Sequence, residues 1–283
     1  MAANPAEKPR IWTVFFCLFM AIVGQLGLGV FVAISWAVLN FSKLEEGLSQ
    51  EAIEEFIMQD PLSFLLSLLG SQLMFLAVVG AAAYLSQEPY KGRLGLNWGK
   101  SSLLWLPLWC LATLGSGVVG EQLIDIEESS YGKQMIDLLG SQPIGFGLVV
   151  IVLGSVLPGL SEELLFRGYV QGRLLKRWPH WLAILVSSVF FACFHMDLQY
   201  LVLVFPIGLW LGFLAYRLGG ILPAIICHFF NNLIALSLMV FGPRWNIGKG
   251  DSFFIALDSL LILCLFVAVG VLFVNPPAKG GNP

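Results

Sequence analysis

Stretches without Asp, Glu, Lys or Arg alternate along this chain with short polar connections. They cover residues 11–42, 61–87, 101–120, 138–161, 178–196, 198–216, 218–243 and 259–278. A bilayer core about 30 Å thick takes roughly 20 helical residues, so each run spans it or nearly does. None alternates polar and apolar positions as a barrel strand must, and a helix satisfies its own backbone in lipid. The pattern predicts an all-α polytopic membrane protein, a bundle of about eight transmembrane helices, with 1–283 forming a single integral membrane domain.

Local signals refine that frame. Gly154, Pro158 and Gly159 interrupt the fourth run, and Ser161 stands where an N-cap belongs. A helix is therefore expected to start afresh at Glu162 and to run to about Arg177, where Trp178-Pro179-His180 breaks it. Leu44, Leu48, Ile53, Phe56 and Ile57 recur at roughly helical spacing, which predicts an amphipathic outer helix over 44–60; residues 121–140 look similar but weaker. The pairs Gly168/Gly172 and Gly208/Gly212 permit close helix approach.

Composition agrees with the membrane assignment: 58% of the residues are apolar and 12% charged, against about half and a quarter in soluble domains. The net charge of −3, with no basic tract, gives no reason to expect nucleic acid as a partner. The Lys and Arg residues orient the bundle. With the N-terminus in the cytoplasm, Lys8, Arg10, Lys91, Arg93, Lys100, Arg173, Lys176, Arg177, Arg217 and Lys279 face inward. Lys43, Lys133, Arg244 and Lys249 face outward, and Arg167 is internal. The first run is too long for a signal-peptide core and is expected to be a retained span. Cys17, Cys110, Cys193, Cys227 and Cys264 stand apart in apolar runs and are expected to pack as small hydrophobes.

Three groups of polar residues break the apolar runs: Glu162–Glu163 with Arg167, then His195, then His228 with Asn232. An ionisable group at membrane depth costs upward of ~2.5 kcal/mol, so such groups face one another or a water-filled cavity. Glu163 and Arg167 are i,i+4 neighbours and can pair, which leaves Glu162 pointing elsewhere. His228 and Asn232 are likewise i,i+4. Glu162 and His195 lie almost equally far from the turn at Trp178–Pro179, so an antiparallel pairing brings them to one depth. That depth matches His228 only if the 162–195 hairpin projects some two turns into the cytoplasm. A carboxylate beside a histidine can hold and deprotonate a water, and a second histidine with an amide can stabilise an oxyanion. That is the chemistry of peptide hydrolysis.

Glu162-Glu163-Leu164-Leu165-Phe166-Arg167 matches an EExxxR pattern, Phe191 to His195 matches FxxxH, and His228 to Asn232 matches HxxxN, in that order. The chain thus resembles the CAAX protease and bacteriocin-processing (Abi) family, which includes intramembrane endopeptidases of the CAAX prenyl protease 2 type. The resemblance covers residues 146–240, the expected catalytic core. It implies an eight-helix fold whose site opens toward the cytoplasm and the lipid. It also implies that Glu162 and His195 activate the attacking water and that His228 and Asn232 stabilise the oxyanion. Glu163 and Arg167 carry over as positioning members of the first motif. The implied substrate is a protein or peptide in or at the lipid bilayer; the oligomeric state is left open.

Two other functions use the same residues. Glu162, His195 and His228 could instead ligate a zinc ion, although no HExxH pair is present; the first expectation is chemistry without a metal or cofactor. A scaffold has no need for acid, base and amide at one depth, and a transporter is disfavoured by the lack of an internal repeat and of a matched pair of broken helices. Cys193 and Cys227 adjoin the two histidines but lie off the faces defined above, which argues against a cysteine protease.

Overall fold

The computed structural model describes residues 10–39, 60–85, 90–100, 102–123, 130–245 and 252–274, and their regular structure is helical. The principal helices are α1 (Trp12–Leu39), α2 (Pro61–Tyr84), α3 (Leu106–Glu121), α4 (Ser130–Ser141), α5 (Ile144–Glu162), α6 (His180–Cys193), α7 (Leu198–Leu218), α8 (Leu222–Trp245) and α9 (Ser252–Val274). Among the described residues, seven helices are long and apolar enough to cross a membrane. The eighth expected span is α6, whose 14 residues rise only ~21 Å. This is an integral membrane protein of all-α class. The expected amphipathic helix over 44–60 lies almost wholly outside the described residues. The weaker one over 121–140 corresponds in part to α4.

Where the sequence predicts a break before Glu162, the structure has none. Helix continues from Ile144 through Leu175, 32 residues in all, with Glu163–Gln171 in π-helical geometry. The break fails because its causes are compensated. Pro158 has no N–H for the Gly154 carbonyl, but Asn232 Nδ2 on α8 donates to that oxygen at 3.3 Å. Ser161 does not cap. Its hydroxyl lies within donating reach of the Leu157 carbonyl, 2.9 Å away, and of Gln72 Oε1 on α2. At helical rise the continuous span is ~48 Å long, more than the thickness of the hydrocarbon core.

The π-helical segment is held on two sides. Ser187 Oγ of α6 donates to the Phe166 carbonyl at 2.9 Å. Arg167 Nη2 donates to the Gly208 carbonyl at 2.9 Å, and Gln171 Nε2 to the Gly212 carbonyl at 2.8 Å. A four-residue step on one element thus meets a four-residue step on α7. A Cβ at Gly208 would sit 3.0 Å from Phe191 Cδ1 and 3.3 Å from Ser188 Cβ, so glycine is what lets α6 pack this closely on α7. Phe166 stacks edge-on against Phe75, Phe191 and Phe194, at 6.1, 5.5 and 5.4 Å between centroids. That aromatic knot ties α2, the π-helical segment and α6 together beside the polar cluster.

A second fastening lies at the end of the bundle. Gly219, at φ 75°, closes α7 in the left-handed conformation. Residues 95–100 fold over the turn. The Lys100 N–H donates to the Leu218 carbonyl at 2.9 Å, while the Ile221 and Leu222 N–H groups donate to the Gly95 and Asn97 carbonyls at 3.0 and 3.3 Å. These bonds cap the end of α7 and the start of α8, fixing where His228 falls along its helix.

Candidate active site

Glu163 is fully buried, and its Oε1 accepts from Arg167 Nη1 at 2.7 Å. The same oxygen lies 2.8 Å from His228 Nδ1. A carboxylate only accepts, so Nδ1 carries the proton and Nε2 is turned outward from Glu163. That second nitrogen lies 3.9 Å from Glu162 Oε2. His228 is therefore flanked by both glutamates, one on each ring nitrogen. Arg167 completes the arrangement with its guanidinium 4.4 Å above the Phe191 ring.

This geometry follows from close packing of α5 on α8. A Cβ at Gly159 would stand 3.0 Å from the Phe229 backbone nitrogen and 3.1 Å from its Cα. Helices meeting backbone to backbone at that point bring His228, one residue earlier, against the Glu162–Glu163 turn.

His195 sits just past the end of α6, and the antiparallel register predicted from the Trp178–Pro179 turn is visible in Phe166 against Phe191. Its Nδ1 lies 3.2 Å from the Phe191 carbonyl. A carbonyl also only accepts, so Nε2 is again the basic nitrogen. Both imidazoles meet the Phe191 ring edge-on, His195 at 5.3 Å and His228 at 5.8 Å between centroids. Met196, the next residue, has φ 55°, a conformation uncommon outside glycine. It turns the chain into α7, whose N-cap is Asp197, accepting the Tyr200 N–H at 2.6 Å.

Asn232 stands one turn beyond His228 on α8. Its Nδ2 is engaged with the Gly154 carbonyl, and its Oδ1 lies 3.4 Å from Asn231 Nδ2. The structure therefore gathers Glu162, Glu163, Arg167 and His228 by direct contact and sets His195 across the shared Phe191 ring. It places Asn232 at the edge, bonded to the backbone of α5.

Two participants, Gln72 and Phe191, are absent from the sequence-derived set. Gln72 of α2 donates from Nε2 to Glu162 Oε1 at 3.3 Å. It is an uncharged polar residue in an apolar run, a signal that a search for ionisable groups passes over. Phe191 opens the FxxxH pattern and forms the wall shared by Arg167 and both histidines. Cys110 and Cys227, expected to pack as small hydrophobes, are buried free thiols whose sulfurs lie 3.8 Å apart. Among the described residues, no group of three His, Cys, Asp or Glu side chains is placed to hold a metal ion.

Fold and site together define a polytopic helical membrane protein with a buried Glu–Arg–His cluster. Residues 144–234 match the family described as type II CAAX prenyl endopeptidase Rce1-like, so the family resemblance seen in the motifs holds over this stretch. The chain is 26% identical over 144 residues to the putative membrane peptidase YdiL of Bacillus subtilis, covering 49% of this chain and 57% of that protein. It is 36% identical over 122 residues to the UPF0177 protein YxdF of Lactococcus lactis, covering 39% and 64%. The chain thus spans about three fifths of the length of these curated relatives. No solved structure matches.

Proposed function

We propose that this protein is an intramembrane endopeptidase that hydrolyses a peptide bond of a membrane-associated protein or peptide, in CAAX-type or leader-peptide processing. The observation that carries the proposal is the His228 imidazole, held by Glu163 on one nitrogen and faced by Glu162 on the other. The match of residues 144–234 to a prenyl endopeptidase family supports it.

Glu162 and His195 take the proton of a water as its oxygen attacks the scissile carbonyl carbon. The carbonyl oxygen becomes an oxyanion, and donors on His228 and Asn232 stabilise it. Asn232 can serve because its amide has two protons and the Gly154 carbonyl uses one. Collapse of the tetrahedral intermediate breaks the C–N bond, and the proton taken from water passes to the leaving amine. Glu163 and Arg167 position His228 without meeting substrate. His228 donates to the oxyanion from a protonated Nε2, whose charge offsets Glu162 as Arg167 offsets Glu163, so Glu162 stays a carboxylate able to accept. No metal enters this scheme.

The basic residues favour a cytoplasmic opening. Arg10, Arg93, Lys100, Arg173, Lys176, Arg177 and Arg217 belong to the end where Arg173 Nη1 meets Thr13 Oγ1 at 2.7 Å and residues 95–100 cover the α7–α8 turn. By the positive-inside rule that end is cytoplasmic. The test is a comparison of protein termini in membranes carrying the wild-type chain and its Glu162→Gln variant at equal abundance. Termini present only with the wild type identify substrates, and identical sets refute the proposal.

A further inference from the structure

Gln72 lies on α2, well outside residues 144–234. It is 5% exposed, and a primary amide at membrane depth is costly unless its groups are bonded. Each of them has a partner here. Nε2 lies 3.3 Å from Glu162 Oε1 and 3.4 Å from Ser71 Oγ. Ser71 directs its own proton to the Leu68 carbonyl, 3.0 Å away, so it is free to accept. The amide oxygen faces the Ser161 hydroxyl. Reversing the amide would set its oxygen against a carboxylate that can only accept, so the orientation is fixed by chemistry.

We propose that Gln72 is a positioning residue for the Glu162 carboxylate, a role that rests on the proteolytic function above. The terminal torsion of a glutamate is broad and does not by itself choose which oxygen points where. Gln72 holds Oε1, which leaves Oε2 as the oxygen facing His228 Nε2 at 3.9 Å. Ser161, the residue before Glu162, clamps the amide from the other side. The oxygen that takes the proton from water is thereby selected from α2, a helix that the family resemblance does not reach.

The experiment uses the full chain in lipid nanodiscs with a peptide substrate taken from the terminus comparison. Gln72→Met keeps the volume and removes the hydrogen bonds. The expected result is a fall in kcat of about tenfold, as for one hydrogen bond to a charged group, with KM unchanged. Ser161→Ala lowers kcat in the same direction, and adding it to Gln72→Met lowers it no further, because both act through one contact. A second measurement needs no substrate. Labelling of Glu162 by an apolar carbodiimide, mapped by mass spectrometry, becomes several-fold faster in Gln72→Met, since removing a donor favours the neutral acid that the reagent attacks. Wild-type kcat in Gln72→Met, multiplying effects in the double variant, or a fall in kcat with the labelling rate unchanged would each overturn the proposal. If Glu162→Gln cleaves as well as wild type, the proteolytic function falls, and the labelling comparison still decides the role of Gln72.

Discussion

Glu163 and His228, 65 residues apart in sequence, share a 2.8 Å hydrogen bond in which the carboxylate fixes the proton of the imidazole on Nδ1. The first glutamate of the motif faces the same ring from its other nitrogen. In the proposed scheme the two adjacent carboxylates divide the work: Glu163 orients the ring and Glu162 takes part in the reaction.

This division separates two variants. Glu162→Gln is expected to abolish cleavage while leaving the fold intact, because Arg167 and His228 keep their partner at Glu163. Glu163→Ala leaves a buried guanidinium without its carboxylate and is expected to cost about 3–5 kcal/mol of stability as well as activity. Thermal melting in detergent beside a cleavage assay distinguishes them; equal melting points for both variants would contradict the assignment.

Asn232 has two jobs that can be pulled apart. Asn232→Ala is expected to lower kcat by about 10²–10³, the effect of losing one oxyanion donor. It also leaves the Gly154 carbonyl unpaired, costing about 1–3 kcal/mol. Adding Pro158→Ala restores an N–H four residues after Gly154. Stability should recover in the double variant while kcat stays low. Recovery of both would show that Asn232 acts only as a brace.

The backbone contact at Gly159 predicts a loss that spreads. In Gly159→Ala the new methyl meets the Phe229 main chain, which cannot yield as a flexible side chain would, so α5 and α8 must part. Overpacking of this kind costs about 1–3 kcal/mol, and the Glu163–His228 bond should lengthen with it. A variant with wild-type melting and wild-type kcat would refute the close approach.

Hydrolysis by a carboxylate-activated water predicts full activity in the presence of a strong chelator. Inhibition by chelator that zinc reverses, together with stoichiometric metal in the purified protein, would transfer Glu162, His195 and His228 to the zinc scheme instead.

The sequence by itself determined what repeats locally. Runs free of charge marked the spans, because a hydrocarbon core imposes one length and one composition on any helix that crosses it. The Glu163–Arg167 pair was legible because four residues bring side chains to one helix face. Counting outward from the Trp178–Pro179 turn set Glu162 opposite His195, and the same register sets Phe166 against Phe191. Tertiary structure alone decided what depends on remote partners. Pro158 read as a break because its missing bond is local, whereas the Asn232 amide that answers it comes from another helix. Gln72 and Glu162 are 90 positions apart, and no periodicity links α2 to α5. Which nitrogen of His228 carries its proton was likewise a matter of packing: it depends on the depth at which α8 crosses α5, and that depth is set by Gly159 and by the residues that cap the turn before α8.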